Sequence, residues 1–228
     1  NSVSPAINSL SCGNQKLIEP GVCPGVCSAT PQPQAIAAPV PMGAAGPVYH
    51  SDMVVRADAP YRTLEETFGG RIGWTATGSH SGFNAPRYLL LEHFKARGRP
   101  LYAESVGPLV SPRAAIRAVL DGRVDVAPLD SFFHQLLKRH EPETAVGLRT
   151  VARTAEAPIP LLVASPGLPE AAAGALRAAL TGAHLAEDGR ALLKPLEISR
   201  FAAIDPASYR LGVDWDRAAL AAGYPQPA

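Results

Sequence analysis

No run of apolar residues in this sequence approaches the roughly 20 needed to cross a bilayer as a helix. Arg, Asp, Pro or Gly interrupts every candidate. Charge of one sign is lacking too: 21 basic residues face 20 acidic ones, a net charge of +1. No global field would therefore draw the chain to nucleic acid or to an anionic membrane, and whatever it binds must be selected by local geometry. Cysteine is scarce, with only Cys12, Cys23 and Cys27, and an odd count argues against a complete disulfide framework. These three could ligate zinc only with a fourth ligand from elsewhere; one disulfide plus a buried thiol is the plainer alternative. The six histidines, at 50, 80, 93, 134, 140 and 184, form no H-E-x-x-H pair, and His134 and His140 read as covering a helix surface. Neither a metal nor a cofactor is expected. The chain starts at Asn1 without a basic stretch leading into an apolar core, so a secretory signal has either been removed or never existed.

What is present is enough apolar material for real cores, 46% of 228 residues. Residues 1–47 hold eight prolines and all three cysteines and read as extended or loop-rich. From Val48 onward, short β-branched runs alternate with amphipathic segments, the pattern of an α/β fold with largely parallel strands. Strands are expected at 52–56, 71–75, 101–106, 124–129, 148–153 and 161–164. Helices are expected at 84–95, 113–120, 131–140, 170–180 and 187–193, with a weaker one at 215–222.

The most informative stretch is Gly70-Arg71-Ile72-Gly73-Trp74-Thr75-Ala76-Thr77-Gly78-Ser79-His80-Ser81-Gly82-Phe83-Asn84-Ala85-Pro86-Arg87. A buried strand ends in a hydroxyl-rich loop that turns into a helix. Ser79 and Ser81 supply hydroxyls, His80 a ring donor, and Gly82 lets backbone approach a ligand closely. The helix start adds free amides and the positive end of its dipole, so anions can be held without net charge. Ser81 or Asn84 could equally serve as an ordinary helix cap. A hydrolase elbow is excluded, because the centre of Gly78-Ser79-His80-Ser81-Gly82 is His80. A second unit, Ser111-Pro112 before a helix, reads as a cap followed by a first-turn proline. Asp130 ends a buried strand, where open α/β sheets place ligand-contacting residues.

The order of these motifs carries a resemblance. Val54-Val55-Arg56-Ala57-Asp58-Ala59-Pro60, then Leu64 to Gly70, then Ser79 to Arg87, then Ala114 to Asp130 is similar to the phosphate/phosphonate-type periplasmic solute-binding proteins of ABC transporters, over roughly 48–209. The resemblance implies a type II periplasmic-binding-protein-like fold with two α/β lobes joined by crossing hinge strands. Lobe 1 would comprise 1–65 plus 159–228, shortened at its N-terminus, and lobe 2 would comprise 66–158. It also implies a periplasmic, non-catalytic importer component that captures phosphonate, phosphite or phosphate and docks on a membrane permease. Ser79, His80, Ser81, Gly82 and Asn84 would line the oxyanion site, with Tyr49 approaching from the hinge, Ser111 and Asp130 beside it, and Ser11 contributed by the other lobe. Where relatives carry Ser-His, this chain has Ser111-Pro112-Arg113, and Arg113 could replace the histidine as anion contact. The family's leading strand and helix are also lacking, so a homodimer would cover the sheet surface they leave. The alternatives are the same fold holding a sulfonate or a thiamine or pyrimidine precursor, with Trp74 available to stack on a ring, or an enzyme using His80 with Asp130.

Overall fold

The computed structural model describes residues 33–228; Ser11 and the three cysteines lie outside the described residues. In chain order the first elements are β1 (Gln34–Pro41), β2 (Val48–Tyr49), β3 (Ser51–Arg56), β4 (Arg71–Gly73), α1 (Ala85–Arg97), β5 (Glu104–Val106), α2 (Pro112–Leu120) and β6 (Ala127–Asp130). Then follow α3 (Ser131–His140), α4 (Pro142–Ala145), β7 (Leu148–Arg153), β8 (Ala157–Pro158), β9 (Leu162–Ala164), α5 (Glu170–Gly182), α6 (Glu187–Leu193), β10 (Ile198–Ala202) and α7 (Arg210–Ala221).

Two sheets organise the chain. The first has the order β10-β1-β9, with both neighbours antiparallel to β1. In the second, β5 pairs parallel with β4, Ile72 of β4 bridges in parallel to Val126 just before β6, and β3 lies antiparallel between β6 and β7. The expectation of largely parallel pairing is therefore corrected. Strands β4, β5, β6 and β7 do run the same way, as a strand-helix alternation requires. An earlier strand of opposite sense, β3, is wedged between β6 and β7, just as β1 is wedged between β9 and β10. Most neighbours thus become antiparallel.

Burial follows from the alternation of side chains along β3. Val54 faces Ile116, Val119 and Leu137 of α2 and α3, whereas Met53 and Val55 face Leu90 and Leu91 of α1. The sheet is covered on both sides, as its apolar run demands. Prolines in β1 are tolerated by position: β9 pairs with Gln34, Ala35 and Ala37, while Pro39 and Pro41 fall where only β10 is alongside. A proline's missing N–H is harmless where one flank is open.

The chain passes between the sheets three times, and the first two passages pair with each other, Val48 opposite Pro158 and Tyr49 opposite Ala157. A second link comes from α3. Gln135 donates to the Met42 carbonyl at 3.1 Å and to Glu197 at 2.8 Å, and Arg139 donates to Glu197 at 2.7 Å. After α7 the chain returns to the second sheet, where Tyr224 stacks on Phe94 with ring centroids 4.4 Å apart and the Leu101 amide donates to the Ala228 carbonyl. His134, expected on a helix surface, is instead 2% exposed, because Asp52 of β3 lies under α3 and requires a partner there.

Ile72 is fully buried in β4, between β5 and β6. Ile72→Ala is expected to lower unfolding free energy by about 2–5 kcal/mol, read as a reduced urea midpoint with an unchanged slope.

Candidate functional site

Strand β4 runs into Trp74 and Thr75, and the chain then doubles back so that the Thr75 amide donates to the Gly82 carbonyl at 3.1 Å. A Cβ on Gly82 would lie 1.8 Å from Thr75 Oγ1, so only glycine permits this approach. Between them, His80–Asn84 forms a π-turn, with the Asn84 amide donating to the Ser79 carbonyl. Such wide turns recur at functional sites. Ser79, rather than Ser81 or Asn84, is the cap: its hydroxyl accepts from the Gly82 amide at 3.0 Å. A capping hydroxyl used as acceptor keeps its own proton to donate. The amides of His80 and Ser81 begin the turn, where no preceding turn supplies acceptors.

Three neighbours hold this turn in place. Ser51, at the start of β3, donates to the Ser81 carbonyl at 2.8 Å. Ser81 in turn donates its hydroxyl to Asp130, which caps α3 by accepting from the Phe133 amide at 2.9 Å. Burial raises the Asp130 carboxyl above its usual range, opposed by the Phe133 and Phe132 amides and by Ser81. Trp215 of α7 stacks on His80, centroids 5.3 Å apart at 22°, and also on Tyr88 at 4.8 Å. Tyr49, buried at the crossing, has its ring 6.1 Å from that of His80. Burial lowers the His80 pKa and so favours the neutral imidazole.

Ser79, His80, Ser81, Gly82, Tyr49 and Asp130 are thus brought together. Asn84 belongs to the same turn, but its amide is engaged with α7, donating to the Gly212 carbonyl at 2.7 Å. Ser111 caps α2 through the Ala114 amide. Its loop is tied alongside the serine turn, the Leu109 and Val110 amides donating to Trp74 and Thr75 carbonyls. Arg113 points elsewhere, forming a fork with Glu141, so it does not replace the missing histidine. Trp74 is also no ring platform: it is 7% exposed, donates to Ser105 and packs edge-on to Phe83. His80 and Asp130 have different partners and do not hydrogen-bond to each other. No group of three or more potential metal ligands occurs among the described residues.

Sequence reasoning missed Ser51, Trp215 and a buried charge network behind the turn. Asp52 is 4% exposed and accepts from His134 at 2.7 Å and from Arg153 at 3.1 Å, with His50 3.5 Å away. A carboxylate inside the apolar run Ser51-Asp52-Met53-Val54-Val55 was the available signal, since a charge there demands a partner. Beside it lies a cavity of about 310 Å³, bounded by Met42, Gly43, His50, Ser131, Gln135 and Lys138. The serine turn does not line it.

A family model described as ABC transporter, phosphonate, periplasmic substrate-binding protein matches residues 26–209. No curated protein sequence matches the chain. Among solved structures, a binding protein component of an ABC phosphonate transporter from Pseudomonas aeruginosa aligns with TM-score 0.70 at 21% identity, covering 83% of this chain and 65% of that one. PhnD1 from Prochlorococcus marinus, in complex with methylphosphonate, aligns with TM-score 0.68 at 18% identity, covering 82% of this chain and 71% of that one. XAC2383 from Xanthomonas citri, bound to ATP, aligns with TM-score 0.57 at 22% identity, covering 84% and 72%. At these identities the likeness is one of fold, and that fold is type II periplasmic-binding-protein-like.

Burial pushes the Asp52 carboxyl up, but the hydrogen bond and charge of His134, followed by His50 and Arg153, outweigh it and hold the pKa below its usual value of 3.8. A carboxyl depressed in the folded state stabilises above its unfolded pKa and loses that contribution as pH falls through the folded one. Asp52→Asn is therefore expected to cost about 1–3 kcal/mol at pH 7. The gap to the parent protein should narrow progressively as pH falls below about 4, as followed by urea unfolding across that range.

Proposed function

This chain belongs to the periplasmic substrate-binding proteins of phosphonate ABC transporters, and on that premise we propose that its serine turn captures a small phosphorus oxyanion outside the cytoplasm. The observation that carries the proposal is the turn from Ser79 to Gly82. Its first amides, the spare proton of the Ser79 hydroxyl and the positive end of α1 converge without a neighbouring lysine or arginine on the turn itself. Fixed N–H and O–H dipoles suit a tetrahedral oxyanion, whose several acceptor oxygens need several donors at once. A ring ligand has less to recommend it, since Trp74 is buried in the core.

The two sheets are then the two lobes, and the paired crossings at Val48–Tyr49 and Ala157–Pro158 are the hinge. On this reading the lobes meet near residues 50 and 158, since β3 pairs with β6 and β7, and the segment after α7 returns to the second lobe. Closure of the lobes around the anion would create the surface that a permease recognises. The reading is of a receptor in the periplasm, with no reaction of its own. A second copy could cover the exposed Leu185, Leu192 and Leu196.

A ligand bound only by the folded state raises the melting temperature. Methylphosphonate, phosphite or phosphate is expected to do so, and sulfate, taurine and pyrimidine precursors are not. Ser79→Ala should then weaken calorimetric affinity by about 1–3 kcal/mol, the range for a hydrogen bond to a charged group. A response confined to a ring compound would overturn the oxyanion assignment.

A further inference from the structure

One ring atom of the turn stands without a partner among the described residues. His80 Nε2 is buried and has no hydrogen-bond partner among the described residues, and an unpaired buried polar atom costs more than it can return unless something else uses it. What that atom offers, a proton or a lone pair, is fixed by the opposite edge of the ring.

The chain of constraint begins at Arg87, which is 1% exposed. Its Nη2 donates to Asn84 Oδ1 at 3.1 Å, and the same group pairs with Asp216 while Nη1 donates to the Pro225 carbonyl. Guanidinium nitrogens only donate, so the Asn84 atom facing Arg87 must be oxygen. From the other side, Asn84 Nδ2 faces the Gly212 carbonyl at 2.7 Å, and a carbonyl only accepts. Two independent partners thus fix the same amide orientation, which an amide alone leaves ambiguous. That orientation leaves the second Nδ2 proton for His80 Nδ1, the two nitrogens lying 3.4 Å apart. An amide nitrogen cannot accept, so Nδ1 must be the acceptor, and the proton of the imidazole sits on Nε2.

We infer that Asn84 is a positioning residue, held by Arg87 and Gly212, that locks His80 in the tautomer whose buried Nε2–H donates to an acceptor oxygen of the bound anion. The inference rests on the oxyanion reading of the serine turn and reassigns Asn84 from ligand contact to the shell behind it. Gly212 is small for the same reason: a Cβ there would lie 3.3 Å from His80 Nδ1, crowding the edge that Asn84 must reach. Trp215 stacked on the ring keeps its plane fixed. Burial of the ring also disfavours the imidazolium, which would set a second N–H against the Asn84 amide. A donor at this position favours a ligand that presents a bare oxygen and disfavours one that presents an N–H.

The test is the tautomer of His80 in the full-length protein, read from long-range ¹H–¹⁵N correlations of the ring, with and without methylphosphonate. The expected result is a single form protonated at Nε2, whose Nε2–H resonance moves when methylphosphonate binds. Asn84→Ala should give a mixture of tautomers and about a threefold to tenfold weaker affinity, with the fold intact by circular dichroism. If Asn84→Ala does not fold, the parent spectrum alone decides. A proton on Nδ1 in the parent protein overturns the inference. Calorimetric binding of methylphosphonate with an unmoved Nε2–H resonance overturns the donor role. No binding of any phosphorus oxyanion overturns the reading of the turn and the donor role with it, while an Nε2–H spectrum would leave Asn84's control of the tautomer standing.

Discussion

Everything at the serine turn depends on the approach of two backbones, those of Thr75 and Gly82. The Thr75 side chain already fills the space that a Cβ on Gly82 would need. The strand therefore turns back on itself within a few residues and delivers Ser79, His80 and Ser81 at the start of a helix. Were the turn looser, Ser51 could not reach the Ser81 carbonyl, and Asp130 would lose the hydroxyl that joins the turn to α3. A single steric fact thereby connects β3, β4, α1 and α3.

Local chemistry was readable wherever one element decides it. The limits of α3 and α6 follow from apolar periodicity, and the glycine and serines of the turn announce a strand running into a helix. Pairing partners were not readable, because they are non-local. Strands β1 and β3 are each inserted between two later strands that run in parallel, and periodicity along the chain carries no trace of that insertion. The same holds for β10, which no expected strand covers and which β1 lies beside.

Side-chain roles divided along the same line. The place of Gly82 in the turn was legible because it is decided within a few residues of chain. His134 was misplaced and Asp52 missed because each explains the other across two elements, one in β3 and one in α3. Trp215 escaped for a related cause: it is an ordinary apolar position of a C-terminal helix until α7 folds back over α1 and lays the indole on His80.

The contacts from Gln135 and Arg139 to Glu197 and Met42 join the two sheets through protein atoms only. They favour the sheets' approach whether or not the cleft is occupied, and so shift a resting population without discriminating among ligands. For a receptor that must report its load, such a bias has two sides. It raises apparent affinity by enlarging the competent fraction. It would also make empty receptors resemble full ones in competing for a permease, so on this reading the strength of one buried glutamate's bonds would set how faithfully the carrier's shape signals its cargo.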